Sequence, residues 1–124
     1  MRDLAQSMEK IGVLLENAII ERIRAHIPPP LKPETVRRKG SSTPLIDTGQ
    51  LIGSITHQIR AEPDRVTLYV GIFDPAVLEY AGTHEYGDPT RNIPERSFLR
   101  STFDEEKEKL IKIVSDDLKK LEVI

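Results

Sequence analysis

The residues of this chain with the most obvious chemical potential are a histidine and a glutamate in succession, His84 and Glu85. An imidazole beside a carboxylate could bind a metal ion or activate water, and His57 and His26 could be further ligands. Metal sites on helices, however, usually space their ligands as His-Glu-x-x-His, and no second histidine follows here. We therefore expect no metal and no other cofactor. Instead, His84 or Glu85 should bond to the backbone or to Arg96.

The segment Asp47-Thr48-Gly49 is a second candidate. Aspartic proteases carry an Asp-Thr/Ser-Gly segment, but they need two such carboxylates, and this chain has one copy that only a homodimer could complete. The alternative is a turn in which Asp47 or Thr48 accepts hydrogen bonds from the amides of Gln50 and Leu51. We favour the turn, which would lead into the first strand.

A short basic cluster precedes this turn and consists of Lys32, Arg37, Arg38 and Lys39. A solvated loop is the simpler interpretation, since no aromatic residues are interleaved with these charges as base stacking would require. In a ring of several copies, the same loop could line a channel and contact DNA phosphates without sequence preference.

Composition limits the remaining possibilities. The chain has 124 residues, which predicts a single domain over residues 1–124. It has no cysteine, so disulfides, thiolate metal sites and cysteine nucleophiles are excluded. Its net charge of -2 gives no overall attraction to nucleic acid. No apolar run approaches the roughly 20 residues of a membrane span, and no signal peptide is evident, so we expect synthesis and retention in the cytosol.

Two long amphipathic helices are predicted at the ends of the chain. Apolar residues recur at steps of three and four from Asp3 to about His26, where three consecutive prolines follow, and again from Ser97 onward. Ser97 is the expected cap of the second helix. Between the first helix and the turn, we expect a mobile loop near residues 28–46, with a short helical turn over residues 32–40.

A β-hairpin is predicted in the middle of the chain. Apolar residues alternate over residues 54–60 and 65–73, separated by Glu62-Pro63-Asp64, whose composition favours a turn. Asp74-Pro75 predicts a helix start, and Gly87 a helix end. Residues 88–96, with two prolines, are expected to cross the sheet as an extended arm or edge strand. The predicted fold is α+β, in which the two long helices pack on a small antiparallel sheet with a short connecting helix.

The segment from Ile93 to Leu99 is the third with a recognisable pattern. Phe98 and Leu99 are expected to anchor the second long helix to the core, since each buried side chain contributes about 1.5–3 kcal/mol. Arg96 could make a bidentate bond to a carboxylate, either within the subunit or in a neighbouring one.

In their order and spacing, three segments between about residues 44 and 99 resemble the tail-completion and virion-morphogenesis proteins of tailed bacteriophages. The residues that carry this resemblance, and which we expect to be structural or interface residues, are Asp47, Thr48, Gly49, Leu51, Ser54, Ile55, Tyr80, Ala81, His84, Glu85, Gly87, Pro94, Arg96, Phe98 and Leu99. Proteins of this family work by assembly, so the resemblance implies a structural virion subunit and no enzymatic activity.

The resemblance also implies partners. These are further copies of the chain in a closed ring, most simply a hexamer, together with connector or head-closure proteins and tail-tube or tail-terminator proteins at the head–tail junction. A ring joins two different surfaces, and we expect the hairpin edge and the loops around Ser41 and Asp88 to meet a helix face of the next copy. The alternatives are a nucleic-acid-binding module that uses the basic cluster and a small metal-dependent hydrolase that uses His84 and Glu85.

Overall fold

The computed structural model describes residues 2–25 and 50–122. In chain order, its elements are α1 (Arg2–Arg24), α2 (Gln50–Gly53), β1 (Ile55–Glu62), β2 (Arg65–Ile72), α3 (Pro75–Tyr86) and α4 (Arg100–Glu122). The predicted α+β fold, with two long terminal helices, one hairpin and a short connecting helix, is confirmed. The loop predicted near residues 28–46, with its helical turn, lies outside the described residues.

Helix α1 buries one stripe, in which Ile11, Leu15, Ile19 and Ile23 follow one another at intervals of four residues. This spacing keeps the side chains on one face of the helix, and that face packs against both strands and against α4. The two long helices run antiparallel, since Ser7 near the start of α1 bonds to Asp117 near the end of α4.

The hairpin pairs β1 with β2 in an antiparallel register from Ile55↔Ile72 to Glu62↔Arg65. The turn therefore contains only Pro63 and Asp64, one residue fewer than predicted, because β1 continues to Glu62. Among the described residues, these two strands form the whole sheet.

The prediction that residues 88–96 form an arm or edge strand across the sheet is wrong. The segment folds on itself in a 3-10 turn at Pro89–Arg91, closed by a bridge between Asp88 and Ile93 and by a left-handed residue, Asn92, with φ 55°. The Asp88 carboxylate holds this loop by accepting hydrogen bonds from Thr90 and from Arg91, which lower the pKa of Asp88 to about 2. A local turn that satisfies its own polar groups leaves no strand to join the sheet.

The core has two parts. The larger part lies where α1, the hairpin and α3 meet, and consists of Ile19, Ile23, Leu51, Ile55, Ile72, Val77, Ala81 and Phe98. The smaller part lies between α1 and α4, and consists of Ile11, Leu15 and Leu110.

Candidate functional site

Helix α3 positions the histidine and glutamate, and both of its ends follow the sequence prediction. The Asp74 carboxylate accepts a hydrogen bond from the amide of Ala76 at 2.9 Å, and Pro75 occupies the first turn. Gly87 ends the helix with a φ of 76°, and its amide donates to the carbonyl of Thr83 at 2.7 Å. A Cβ atom at Gly87 would also lie 2.8 Å from the backbone nitrogen of Glu95, so glycine is required for two reasons.

Glu85 is 3% exposed and lies at the centre of a network that joins α3 to the start of α4. Its carboxylate accepts from the backbone amides of Phe98 at 2.8 Å, Leu99 at 2.9 Å and Arg100 at 2.9 Å. It also accepts from the Ser97 hydroxyl at 2.7 Å and from Arg100 Nε at 3.0 Å. We call this set, Glu85 with residues 97–100, the Glu85 joint.

The ionised form of Glu85 is favoured in spite of its burial. Burial by itself would raise the pKa of Glu85, but the hydrogen bonds from the amides of Leu99 and Arg100, the Ser97 hydroxyl and the amide of Phe98 lower it below the ordinary value. The charged form of Arg100 is favoured as well, because its bonds to Glu95 and Glu85 raise the pKa of its guanidinium.

The Glu85 joint serves as the N-terminal cap of α4. The first amides of a helix have no partner within the helix, and the Glu85 carboxylate binds the amide of Arg100, the first residue of α4, together with the amides of Phe98 and Leu99 just before it. Ser97 was the expected cap, and its hydroxyl does accept from the amide of Ser101 at 3.1 Å. The helix nevertheless begins at Arg100, three residues later than predicted.

His84 lies beside the Glu85 joint. Its ring meets the Tyr80 ring edge-on, with 4.5 Å between ring centroids, and its carbonyl accepts from the amide of Arg96 at 2.8 Å. Over residues 2–25 and 50–122, no three His, Cys, Asp or Glu side chains are grouped as metal ligands. The side-chain bond to the backbone that we expected of His84 or Glu85 is made by Glu85.

Arg96 is 6% exposed, and its burial lowers the pKa of the guanidinium. Of the two alternatives for Glu85, the bond to the backbone is the one observed, and the guanidinium on its carboxylate is that of Arg100. A carboxylate partner for Arg96 within the subunit or in a neighbour stays a prediction.

The three segments that carry the resemblance meet in one place. Leu51 and Ile55 from the first segment, Ala81 from the second and Phe98 from the third all belong to the larger core cluster. Leu99 is partly buried and packs against it, and the Ser54 amide closes a turn on the carbonyl of Leu51 at 3.2 Å.

Other predicted site residues fall elsewhere. Tyr80, one of the residues expected to be structural or at an interface, is exposed, because α3 turns Val77, Ala81 and Glu85 inward. Pro94 is half-buried in the connection to α4. The remaining predicted residues lie outside the described part of the chain, as does His26. They are Asp47, Thr48, Gly49, Lys32, Arg37, Arg38 and Lys39.

A second ionic contact was missed by the sequence analysis. His57 on β1 bonds through Nδ1 to Glu16 at 2.5 Å and through Nε2 to Glu9 at 2.8 Å, both on α1. The hydrogen bond to Glu16 is the main reason why the pKa of His57 is raised, although burial acts in the opposite direction. We call these three residues the His57 clamp.

The clamp depends on a glycine. The imidazole lies directly over Gly12 of α1, where a Cβ atom would be 2.6 Å from the His57 ring. His57 lies on the same face of β1 as Ile55 and Ile59, and the pattern Glu9, Gly12, Glu16 at helical spacing is the signal that could have identified its partners.

An open apolar groove lies on the surface of the described residues. It runs between β2 and α4 over the floor formed by α1, and its volume is about 960 Å³. Tyr69 and Phe73 lie on the β2 side, and Phe103, Ile111 and Leu118 on the α4 side, all of them exposed. Such a patch on a small domain is typical of a surface that binds another protein.

Neither the character of the helices nor comparison with known proteins narrows the function further. Within the described residues, none of the helices combines the length and the apolar character that a membrane span requires. Comparison of the chain with protein-family models, with curated proteins and with solved structures gave no match.

Proposed function

We propose that this protein is a structural virion subunit of a tailed bacteriophage, which assembles as a ring at the head–tail junction and completes or joins the tail. The observation that carries the proposal is the meeting of the three family-like segments in one core cluster, through Leu51, Ile55, Ala81 and Phe98. Segments that resemble a family in order and spacing, and that also pack together, behave as one folding unit.

The polar motif residues support a structural role for these segments. The Glu85 carboxylate accepts bonds from three backbone amides, a hydroxyl and a guanidinium, so its lone pairs are engaged in the joint. A carboxylate held in this way has no free lone pair to offer a metal ion or a water molecule. The geometry therefore favours assembly over the metal-dependent hydrolase that His84 and Glu85 suggested.

A cyclic ring requires two different surfaces on each subunit. We infer that the hairpin and the closed loop at Asp88–Ile93 provide one surface, and that a helix face of the next copy provides the other. The rigid Asp88 loop suits this use, because its turn is already formed and docking would cost little conformational entropy.

The test is the mass of the purified protein by light scattering behind a sizing column, with and without purified connector particles and tails. We expect several copies of the subunit to be bound per particle. The variant Phe98→Ala, which opens a cavity at a fully buried position, controls for binding by unfolded chain. A folded subunit that binds neither particle would overturn the proposal, and salt-dependent binding to DNA by the isolated chain would support the nucleic-acid alternative instead.

A further inference from the structure

Helix α4 carries two apolar stripes, although only one of them is covered within the subunit. Leu110 and Thr102 face α1 and are buried, and Arg22 of α1 bonds to Thr102 and Glu105. The other stripe contains Phe103, Ile111 and Leu118, which are 53%, 64% and 41% exposed.

The spacing places the second stripe on one face. At about 3.6 residues per turn, steps of eight and seven residues keep these side chains within a face about 80° wide, and Lys107 and Val114, which also line the groove, fall on the same face. We call this face, residues 103, 107, 111, 114 and 118, the outer stripe. A helix of 23 residues with an uncovered apolar stripe along an open groove has the form of one half of a helix pair.

Charges beside the outer stripe indicate the partner. On the flank away from α1, Asp104 and Glu108 occupy the first half of α4, and Lys112 and Lys119 occupy the second half, and all four are exposed. This order of charge is self-complementary only when a second α4 runs in the opposite direction.

The handedness of the helix strengthens this argument. When two identical right-handed helices face each other antiparallel, the same flank of each lies on the same side of the contact, whereas a parallel pair places the two flanks on opposite sides. With Ile111 at the centre, Asp104 lies within about 1.5 Å along the axis of Lys119 of the second copy, and Glu108 within about 3 Å along the axis of Lys112 of that copy, which is about 100° round the helix from Ile111 and so further from the contact. Both pairs would attract, and each contributes a modest amount at an exposed site.

We propose that the free subunit forms a two-fold pair, in which α4 of one copy lies antiparallel along the outer stripe of a second copy and covers the groove. This goes beyond the proposed ring, because a two-fold pair uses the same surface on both copies and a cyclic ring uses two different ones. The pair keeps the apolar stripe from solvent.

The absence of cysteine from the chain makes cross-linking a direct test. The variant Ile111→Cys places a thiol near the two-fold axis, and mild oxidation should convert most of it to a disulfide-linked dimer. Phe103→Cys is the matched control, since it lies on the same stripe and is similarly exposed, but its distance from its own copy would be about 24 Å. Combining Phe103→Cys with Leu118→Cys should restore the cross-link.

Charge exchange tests the same contact without new covalent bonds. The double variants Asp104→Lys/Glu108→Lys and Lys112→Glu/Lys119→Glu should each pair at least about tenfold more weakly, and an equimolar mixture should recover a dimer in sedimentation measurements. Because all four positions are exposed, both variants should keep the helical circular dichroism of the parent chain.

Each alternative result overturns the pairing. Equal cross-linking of Phe103→Cys and Ile111→Cys would indicate a parallel pair or random collision. A monomer at all concentrations would show that something else covers the groove. A ring-sized mass unaffected by either set of variants would contradict the pairing while leaving the proposed function intact.

Discussion

The Glu85 joint and the His57 clamp have the same structural role, but their central side chains carry opposite charges. Each holds a helix to another element through an ionised side chain that bonds to several groups at once. Glu85 is an anion whose partners include three backbone amides, so the fold itself fixes their positions. His57 carries the opposite charge when protonated, and its partners are the flexible carboxylates of Glu9 and Glu16, whose side chains are 58% and 21% exposed. Burial and fixed partners make the Glu85 joint strong. The more exposed and flexible carboxylates of Glu9 and Glu16 make the His57 clamp weaker and adjustable.

The two contacts also respond to pH in opposite directions. The pKa of Glu85 is lowered in the folded protein, so its contribution to stability is complete above the unfolded value, about 4.3, and is lost as the pH falls through the folded value. The pKa of His57 is raised, so its contribution is complete below about 6.5 and is lost as the pH rises through the folded value. Both contacts are at full strength between those limits, where these two groups favour maximum stability.

The largest effect should come from replacing the Glu85 carboxylate with a neutral side chain. Glu85→Gln keeps the shape but places an amide group, which donates as well as accepts, against backbone donors and leaves Arg100 without a buried charge partner. We expect the free energy of unfolding, measured in urea at pH 7, to fall by about 3–5 kcal/mol. Glu95→Gln removes the exposed partner of the same arginine and should cost less than about 1 kcal/mol. Equal losses would show that the joint is not anchored by the buried carboxylate.

The next effect should come from the glycine beneath the histidine. In Gly12→Ala, the new methyl group would collide with the His57 ring, which must move away from Glu9 and Glu16. We expect a loss of about 1–3 kcal/mol in the same urea measurement.

Gly82→Ala is the matched control for this change. Gly82 also lies within a helix, but a Cβ atom there would meet nothing within 4 Å. Because alanine favours the helix, this variant should gain about 0.4–1 kcal/mol. A gain at position 12 as well would show that the imidazole does not lie over the helix backbone.

A smaller effect should follow from replacing His57, which is the cation of the His57 clamp when protonated, with a side chain that cannot be charged. His57→Gln cannot become charged, so we expect a loss of about 1 kcal/mol at pH 6 that shrinks as the pH rises. The measurement is the urea midpoint of the parent and the variant from pH 5 to 9. A constant difference across this range would mean that the ring contributes by packing and not by its charge.

The smallest effect distinguishes the two carboxylates of the clamp. Glu16→Gln should lower the pKa of His57 more than Glu9→Gln does, because Glu16 makes the shorter bond and is the less exposed of the two. Titration of the His57 ring by NMR measures both changes. The opposite order would assign the main contact to Glu9.

Much of the fold could be predicted because its causes are local. The apolar stripe of α1 follows from helical periodicity, and the hairpin follows from alternation on either side of Pro63-Asp64. The limits of α3 follow from Asp74-Pro75 and Gly87, since caps act on amides and carbonyls within a few residues. The failure at residues 88–96 was local as well, because the capping capacity of Asp88 was overlooked in favour of an extended arm.

By itself, the sequence determined the two long helices, the limits of α3, the β1–β2 hairpin and the apolar faces that must be buried, since these depend on neighbouring residues. Only the tertiary structure decided that Glu85 caps a helix that begins 15 residues later, and that His57 bonds to carboxylates 41 and 48 residues earlier. It also decided which of the two stripes on α4 is covered, because the periodicity of a helix shows that a face is apolar without showing what lies against it. Contacts of this kind require distant segments to be brought together, and no local pattern specifies which ones meet.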